Sequence, residues 1–385
     1  MWLHSHITLP VGATNYIRDV IRELLKDHNV DLYVQKTNPQ FENLFREAGI
    51  KITTLSKYST GDILFWFTFN RQINNETKFL KNLAKNYDLV ISSVFPMNII
   101  ANSVNLPHLQ FCFQPFMFFW DPLMINKLSI PKRAFLFYLK MKFSKLDIDH
   151  TRRSSKILTI NNGSKRAISH IYNKDSVPTF MGVTVHETVN EELKKKYPGK
   201  KILLHSTDWT PLKKTPWLIE EFQSIRKQYP NVLLLITESK TDPKQKKNEL
   251  KKIKTPNFEN IEFLGTVSTD LLSQYYSLAD IVVYPGFGAG ITTSLFVIEC
   301  MAYETPAIVS DQAAEDVEDG KSGLVFKKEG DLQKCILTLL LDPSLCDTLG
   351  KQAKISVLKK HSWENVAKIF NTHFLEIINE GNIKN

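Results

Sequence analysis

The 385 residues carry 49 Lys and Arg against 40 Asp and Glu, a formal charge of +9, with 43% hydrophobic and 23% charged side chains. The composition is that of a soluble globular chain, and the length exceeds what one hydrophobic core usually serves, so two domains of under about 200 residues each are predicted. The basic residues are scattered, with no zinc-finger, helix-turn-helix or RNA-binding aromatic signature beside them, which argues against a nucleic-acid partner and leaves an anionic small ligand or anionic lipid to account for the sign.

The chain opens Met1-Trp2-Leu3-His4-Ser5-His6, without a basic region leading into an apolar run, so no signal peptide is predicted and the cytoplasm is the expected location. A strand over 2–8 leads through Pro10-Val11-Gly12-Ala13 to a helix over 14–26, and 30–35 reads as the next strand. Further strands are predicted at 89–92, 109–113 and 157–161. The apolar stretch 111–120 is broken by Gln114 and Pro115, far short of the ~20 residues of a membrane span. A linker-like passage around 185–200 ends Lys196-Tyr197-Pro198-Gly199-Lys200. Beyond it come strands at 201–205, 232–237, 261–264, 281–284 and 307–310, separated by helices such as 217–228 and 269–278. Short apolar runs alternating with amphipathic helices imply parallel sheets covered by helices, an α/β protein of two doubly wound, Rossmann-like domains. Domains are expected over 1–186 and 187–360, with a terminal helix over 361–385 packing back on the first. Cys112, Cys300, Cys335 and Cys346 show no CxxC spacing and read as reduced thiols, not metal ligands.

Three places carry candidate chemistry. After the strand at 281–284, Gly286, Gly288 and Gly290 precede Ile291-Thr292-Thr293-Ser294 and an apolar helix. Glycines allow close backbone approach, and a helix start offers free amides and a favourable dipole to an anion; a plain capped turn explains the same residues. The helix that follows is apolar except for Glu299, so that carboxylate needs either a basic partner or ligand hydroxyls. Thr207-Asp208-Trp209-Thr210-Pro211-Leu212-Lys213-Lys214 follows another strand, placing two amines where open α/β sheets bind ligands. A similar turn at Gly12 and Ala13 belongs to the first domain.

These residues resemble the retaining glycosyltransferases of family 4, whose fold is GT-B, two Rossmann-like domains facing a cleft that holds the donor. The resemblance is carried by Leu9-Pro10-Val11-Gly12-Ala13-Thr14, Tyr87-Asp88-Leu89-Val90, Trp209-Thr210-Pro211-Leu212-Lys213-Lys214, Phe263-Leu264-Gly265-Thr266-Val267, Val297-Ile298-Glu299-Cys300-Met301-Ala302 and His361-Ser362-Trp363-Glu364. It implies transfer of a hexose from a nucleotide diphosphate sugar to a hydroxyl of a glycan, lipid-linked or small acceptor, with no obligatory metal or other cofactor. It also implies that Lys213 neutralises the leaving diphosphate and that Glu299 holds the ribose hydroxyls. Gly12, Ala13, Thr207, Asp208, Lys214, Thr266, Val267, Gly290, Ile291, Thr292, Thr293 and Ser294 would complete the donor site. Three positions depart from the family. Ile291 stands where the first of two glutamates is usual, Asp208 where an arginine is usual, and Phe113 near the place of a frequent histidine. An inverting transferase, an epimerase of the same fold, or a degenerate relative that binds nucleotide or glycan without turnover therefore stays open.

One segment speaks to location. In Phe116-Met117-Phe118-Phe119-Trp120 and 131–143, aromatic and aliphatic residues interleave with Lys132, Arg133, Lys140 and Lys142, as in a peripheral contact with the cytoplasmic membrane face. Phe135, Leu136, Leu139 and Phe143 also have the spacing of a helix facing a core.

Overall fold

The computed structural model describes residues 1–8, 12–126, 128–186, 191–239, 242–286, 293–328 and 330–383. The chain forms two compact units, Met1–Gly182 with Trp363–Asn385, and Val183–Ser362. The boundaries expected at 186 and 361 thus fall at Gly182 and Trp363. Close packing explains both: a Cβ on Gly182 would lie 2.2 Å from the Trp363 ring, so only glycine fits beneath it. One residue on, the Val183 amide donates to His361 O at 2.7 Å within the other unit.

The first unit is a parallel sheet of β1 (Trp2–Ile7), β2 (Asp31–Thr37), β3 (Lys51–Thr54), β4 (Val90–Ser92), β5 (His108–Phe111), β6 (Lys156–Thr159) and β7 (Val177–Pro178), in the order β3-β2-β1-β4-β5-β6-β7. Neither β3 nor β7 was predicted. Only Ile52 of β3 is buried, and β7 is two residues ending in a proline, so neither shows an apolar run. Successive side chains of a strand point to opposite faces, and β1 shows it. Trp2 joins a layer with α1 (Gly12–Leu24) and the C-terminal helix Trp363–Ile383, where the Phe370 ring sits 5.7 Å from Trp2 and 5.5 Å from Phe111. Leu3 joins the opposite layer, under α2 (Ile63–Leu83) and α3 (Ile130–Arg153).

Helix α3 carries two apolar rows. Leu136, Leu139 and Phe143 are buried and Phe135 is half-buried, whereas Phe137, Tyr138 and Met141 are exposed.

The second unit is a parallel sheet of β8 (Lys201–Thr207), β9 (Val232–Glu238), β10 (Ile261–Gly265), β11 (Ile281–Tyr284), β12 (Ala307–Ser310) and β13 (Gly323–Phe326), in the order β10-β9-β8-β11-β12-β13. Helices α4 (Thr215–Gln228), α5 (Thr269–Leu278) and α6 (Leu295–Ala302) cover it. Both sheets therefore reverse their strand order once, between β1 and β4 and between β8 and β11. In doubly wound sheets the carboxyl ends at that reversal are where ligands bind. No helix among the described residues is long and apolar enough to cross a membrane.

Candidate functional site

In the second unit the reversal point is occupied by the turn after β8. Its backbone is held in an uncommon shape, since Trp209 and Lys214, at either end, are non-glycine residues with φ of 56° and 51°. Each such residue costs about 1 kcal/mol or more, so the surroundings must impose it. They do. The Trp209 side chain is fully buried. Its amide donates to Thr207 Oγ1 at 2.9 Å, and its carbonyl accepts from Gln245 Nε2 at 2.8 Å. Asp208 Oδ1 accepts from both the amide (2.9 Å) and the hydroxyl (2.6 Å) of Thr210. The carboxylate that replaces the usual arginine thus braces its own turn.

Beneath the turn lies a buried polar chain. His205 Nδ1 donates to Val283 O at 3.0 Å, and its Nε2 lies 3.0 Å from Thr215 Oγ1, whose hydroxyl is 2.7 Å from that of Thr207. Burial lowers the His205 pKa to about 4, so the ring is neutral with its proton on Nδ1, and the Thr215 hydroxyl donates to Thr207.

Lys213 closes this assembly. It ends a single 3-10 turn, Pro211–Lys213. Its Nζ donates to the Tyr284 hydroxyl at 2.7 Å and lies 5.1 Å from the centre of that ring. Among the described residues it forms no ion pair, so a half-buried amine stands at the carboxyl end of β11 with the Tyr284 phenol as its hydrogen-bond partner. Gly286 permits the approach, because a Cβ there would meet Leu212 O at 2.3 Å and Lys213 Cα at 2.8 Å. From the far side the Ser310 hydroxyl donates to Gly286 O at 3.0 Å. Lys214 points elsewhere, its Nζ 5.4 Å from the centre of the Trp217 ring.

The other predicted residues distribute as follows. Gly290, Ile291 and Thr292 lie outside the described residues. Thr293 is buried, and its Oγ1 accepts from the Asp316 amide at 2.8 Å. Asp316 in turn faces His361 Nε2 at 3.0 Å, and this pairing helps hold its carboxyl down at about 2. The His361-Ser362 motif therefore supports the approach to α6. Ser294 precedes α6 as its N-cap without using its hydroxyl for the cap. Glu299 is half-buried on α6, and its partner is a phenol, not a base: Oε2 accepts from Tyr276 of α5 at 2.7 Å. Desolvation raises its pKa above 4.5, and Oε1 has no hydrogen bond among the described residues. Thr266 is exposed and Val267 half-buried just after edge strand β10. Gly12 and Ala13 begin α1 of the first unit.

Sequence reasoning missed Tyr284, Gly286 and Ser310 as the clamp around Lys213. The glycine was noticed for its loop, but contact with a turn about 70 residues away leaves no local trace. His205 was read only as a strand residue.

Residues 199–342 match the family described as "Glycosyl transferases group 1". That segment is similar to the group 1 glycosyl transferases. Over 169 residues, covering 43% of this chain and 41% of the relative, the sequence is 31% identical to an alpha-monoglucosyldiacylglycerol synthase of Acholeplasma laidlawii. Over 110 residues, 26% of this chain and 21% of the relative, it is 33% identical to a sulfoquinovosyl transferase of Arabidopsis thaliana. The matched stretch is thus well under half the length of either curated relative. The Anabaena HepE structure in complex with UDP superposes with a TM-score of 0.73 at 13% identity, over 97% of this chain and 99% of that one. HepE in complex with UDP-glucose gives 0.68 at 14%, over 99% and 100%. The fold is GT-B.

A side chain at Gly286 should disturb the clamp. Gly286→Ala is expected to destabilise the chain by about 1–3 kcal/mol, the usual cost of overpacking, read as a lowered denaturant midpoint. An unchanged midpoint would mean that the Lys213 turn does not rest on this glycine.

Proposed function

We propose that the chain transfers a hexose from a nucleotide diphosphate sugar to a hydroxyl, with retention of configuration. The observation that carries this reading is the Lys213 amine, fixed by Tyr284 at the reversal point and paired with no carboxylate among the described residues. The difficult part of glycosyl transfer is the negative charge that grows on the departing diphosphate. A positioned cation stabilises it by roughly 2 kcal/mol or more. Lys213 supplies that charge from the protein itself, so no metal is invoked. Glu299, with one oxygen held by Tyr276 and the other open, is suited to receive two hydroxyls of a ribose.

The HepE complexes favour a uridine nucleotide and glucose as the donor. The relative named for alpha-monoglucosyldiacylglycerol favours a lipid hydroxyl as the acceptor, and an α-linked product from an α-linked donor is retention. The first unit offers a surface suited to a lipid. Helices α2 and α3 pack together through Phe69 and Phe143, 4.5 Å apart. Outward, α2 exposes Ile63, Leu64 and Phe67 (77% accessible), and α3 exposes Ile130 (78%), Phe137 and Met141 (71%). Arg71, Lys132, Arg133, Lys142 and Lys145 are exposed on the same two helices. Such residues contribute on the order of 1 kcal/mol each near an anionic surface.

Two outcomes are expected. Titration calorimetry with UDP should show Lys213→Ala and Glu299→Gln each weakening binding about tenfold or more, equivalent to ~1.4 kcal/mol, with melting temperatures close to the unsubstituted chain. Unchanged affinity combined with a lowered melting temperature in Glu299→Gln would make that carboxylate a structural partner of Tyr276. In liposome flotation, the chain should rise with anionic vesicles at low salt and be released at high salt, because surface charge is screened. Failure to rise with any vesicle would leave a soluble acceptor.

A further inference from the structure

Between edge strand β3 and helix α2 of the first unit lies an open cavity of about 450 Å³, within the roughly 300–1,000 Å³ of small-ligand sites. In the order β3-β2-β1-β4 it stands two strands away from the reversal point, so it is separate from the place where a doubly wound sheet binds its main ligand. Its polar wall comes from α2, which contributes Arg71, Gln72, Asn75 and Glu76, with the Phe79 ring beside them.

Glu76 is the residue that folding alone does not account for. It sits in the buried row of α2 between Ile73 and Leu80 and is 4% accessible, yet it forms no ion pair among the described residues. Its oxygens accept only from neutral amides, Oε1 from Gln72 Nε2 at 2.8 Å and Oε2 from Gln35 Nε2 at 2.9 Å. A buried carboxylate without a base is costly, and an apolar side chain would complete the row at less expense. With about four lone-pair sites on a carboxylate, each oxygen can take a further proton from a ligand. Gln72 Nε2 also donates to Tyr58 O at 2.8 Å, so both protons of that amide are committed and its oxygen is left to accept. Arg71 and Asn75 are exposed and make no hydrogen bond or ion pair among the described residues, so they supply the donors.

The wall therefore offers acceptors and donors together, with one charge of each sign. An anion drawn to Arg71 would meet the Glu76 carboxylate, and a cation would meet the guanidinium. A neutral molecule with several hydroxyls satisfies both, and its C–H face can lie against Phe79; these are the properties of a hexose. Helix α2 also says what carries it. Ile63, Phe67, Arg71 and Asn75 recur at every fourth residue, so one face of the helix leads from exposed apolar side chains straight to the cavity. We infer that the cavity between β3 and α2 binds the hexose headgroup of a glycolipid lying in the surface on which the chain docks. The choice of a lipid as carrier rests on the lipid-acceptor reading above. A chain that glucosylates lipids is thereby held on a surface that carries its own product.

Binding of the full chain to vesicles matched in anionic lipid tests this without donor or turnover. Vesicles containing glucosyl diacylglycerol should hold the chain about tenfold more tightly than vesicles containing diacylglycerol, the scale of a few hydrogen bonds to charged groups, and an excess of methyl glucoside should abolish the difference. Asn75→Trp fills the cavity from an exposed position and should remove the preference, with UDP affinity and melting temperature retained. Asn74→Trp, exposed but outside the cavity wall, should keep it. Equal binding to both vesicles would overturn the lipid carrier; if calorimetry also showed no binding of methyl glucoside, the hexose site itself would fall. An Asn75→Trp chain that keeps the preference would overturn the placement. A chain that shows the preference yet transfers no glucose would overturn the transferase reading alone.

Discussion

The chemistry proposed for this chain depends on one amine kept in place with no counter-ion among the described residues. A lysine beside a carboxylate would already have spent its charge; one on a loose loop would have to be ordered each time a ligand arrived. Lys213 avoids both. Its turn is bracketed by two left-handed residues and braced by Asp208 and the buried Trp209. It meets Gly286 backbone to backbone, and Nζ donates to a neutral phenol. The donor of charge is therefore organised before any anion binds, which is how fixed groups contribute most to stabilising a departing diphosphate.

The two reversal points differ in composition. That of the second unit is polar and cationic, suited to a charged nucleotide. That of the first is apolar around two imidazoles, suited to a hydroxyl on an aliphatic body. Each holds a histidine: the Val283 carbonyl sets the tautomer of His205, and His6 Nδ1 lies 3.2 Å from the Ser5 hydroxyl. The buried example supports a turn; the open one faces a cavity.

Much of this was legible in the residues. The strands at 281–284 and 307–310 and the helix at 269–278 were predicted to the residue, because buried parallel strands form short apolar runs between turn residues and the helix has a clear start. Lys213 and Glu299 were singled out for their positions after a strand and within an apolar helix. What escaped was long-range or faint. Strand β3 buries one side chain and β7 is two residues long, so neither produces a run. Glu299 was expected to meet either a basic partner or ligand hydroxyls, and the side chain that holds it is Tyr276, 23 residues before it. The long helix α2 was also passed over, although Phe65, Phe69, Ile73, Glu76 and Leu80 recur at helical spacing on its buried face. Glu76 breaks that row as a carboxylate, and this signal could have pointed to the cavity between β3 and α2.

The most direct test of the account is the product itself. Purified chain should be incubated with UDP-glucose labelled in the sugar and vesicles of diacylglycerol in anionic lipid, and the lipid-extracted label examined for its anomeric configuration by proton coupling. The account predicts label in the lipid phase as an α-glucoside. Label that stays wholly in the aqueous phase while UDP binds, or a β-glucoside in the lipid, would contradict it.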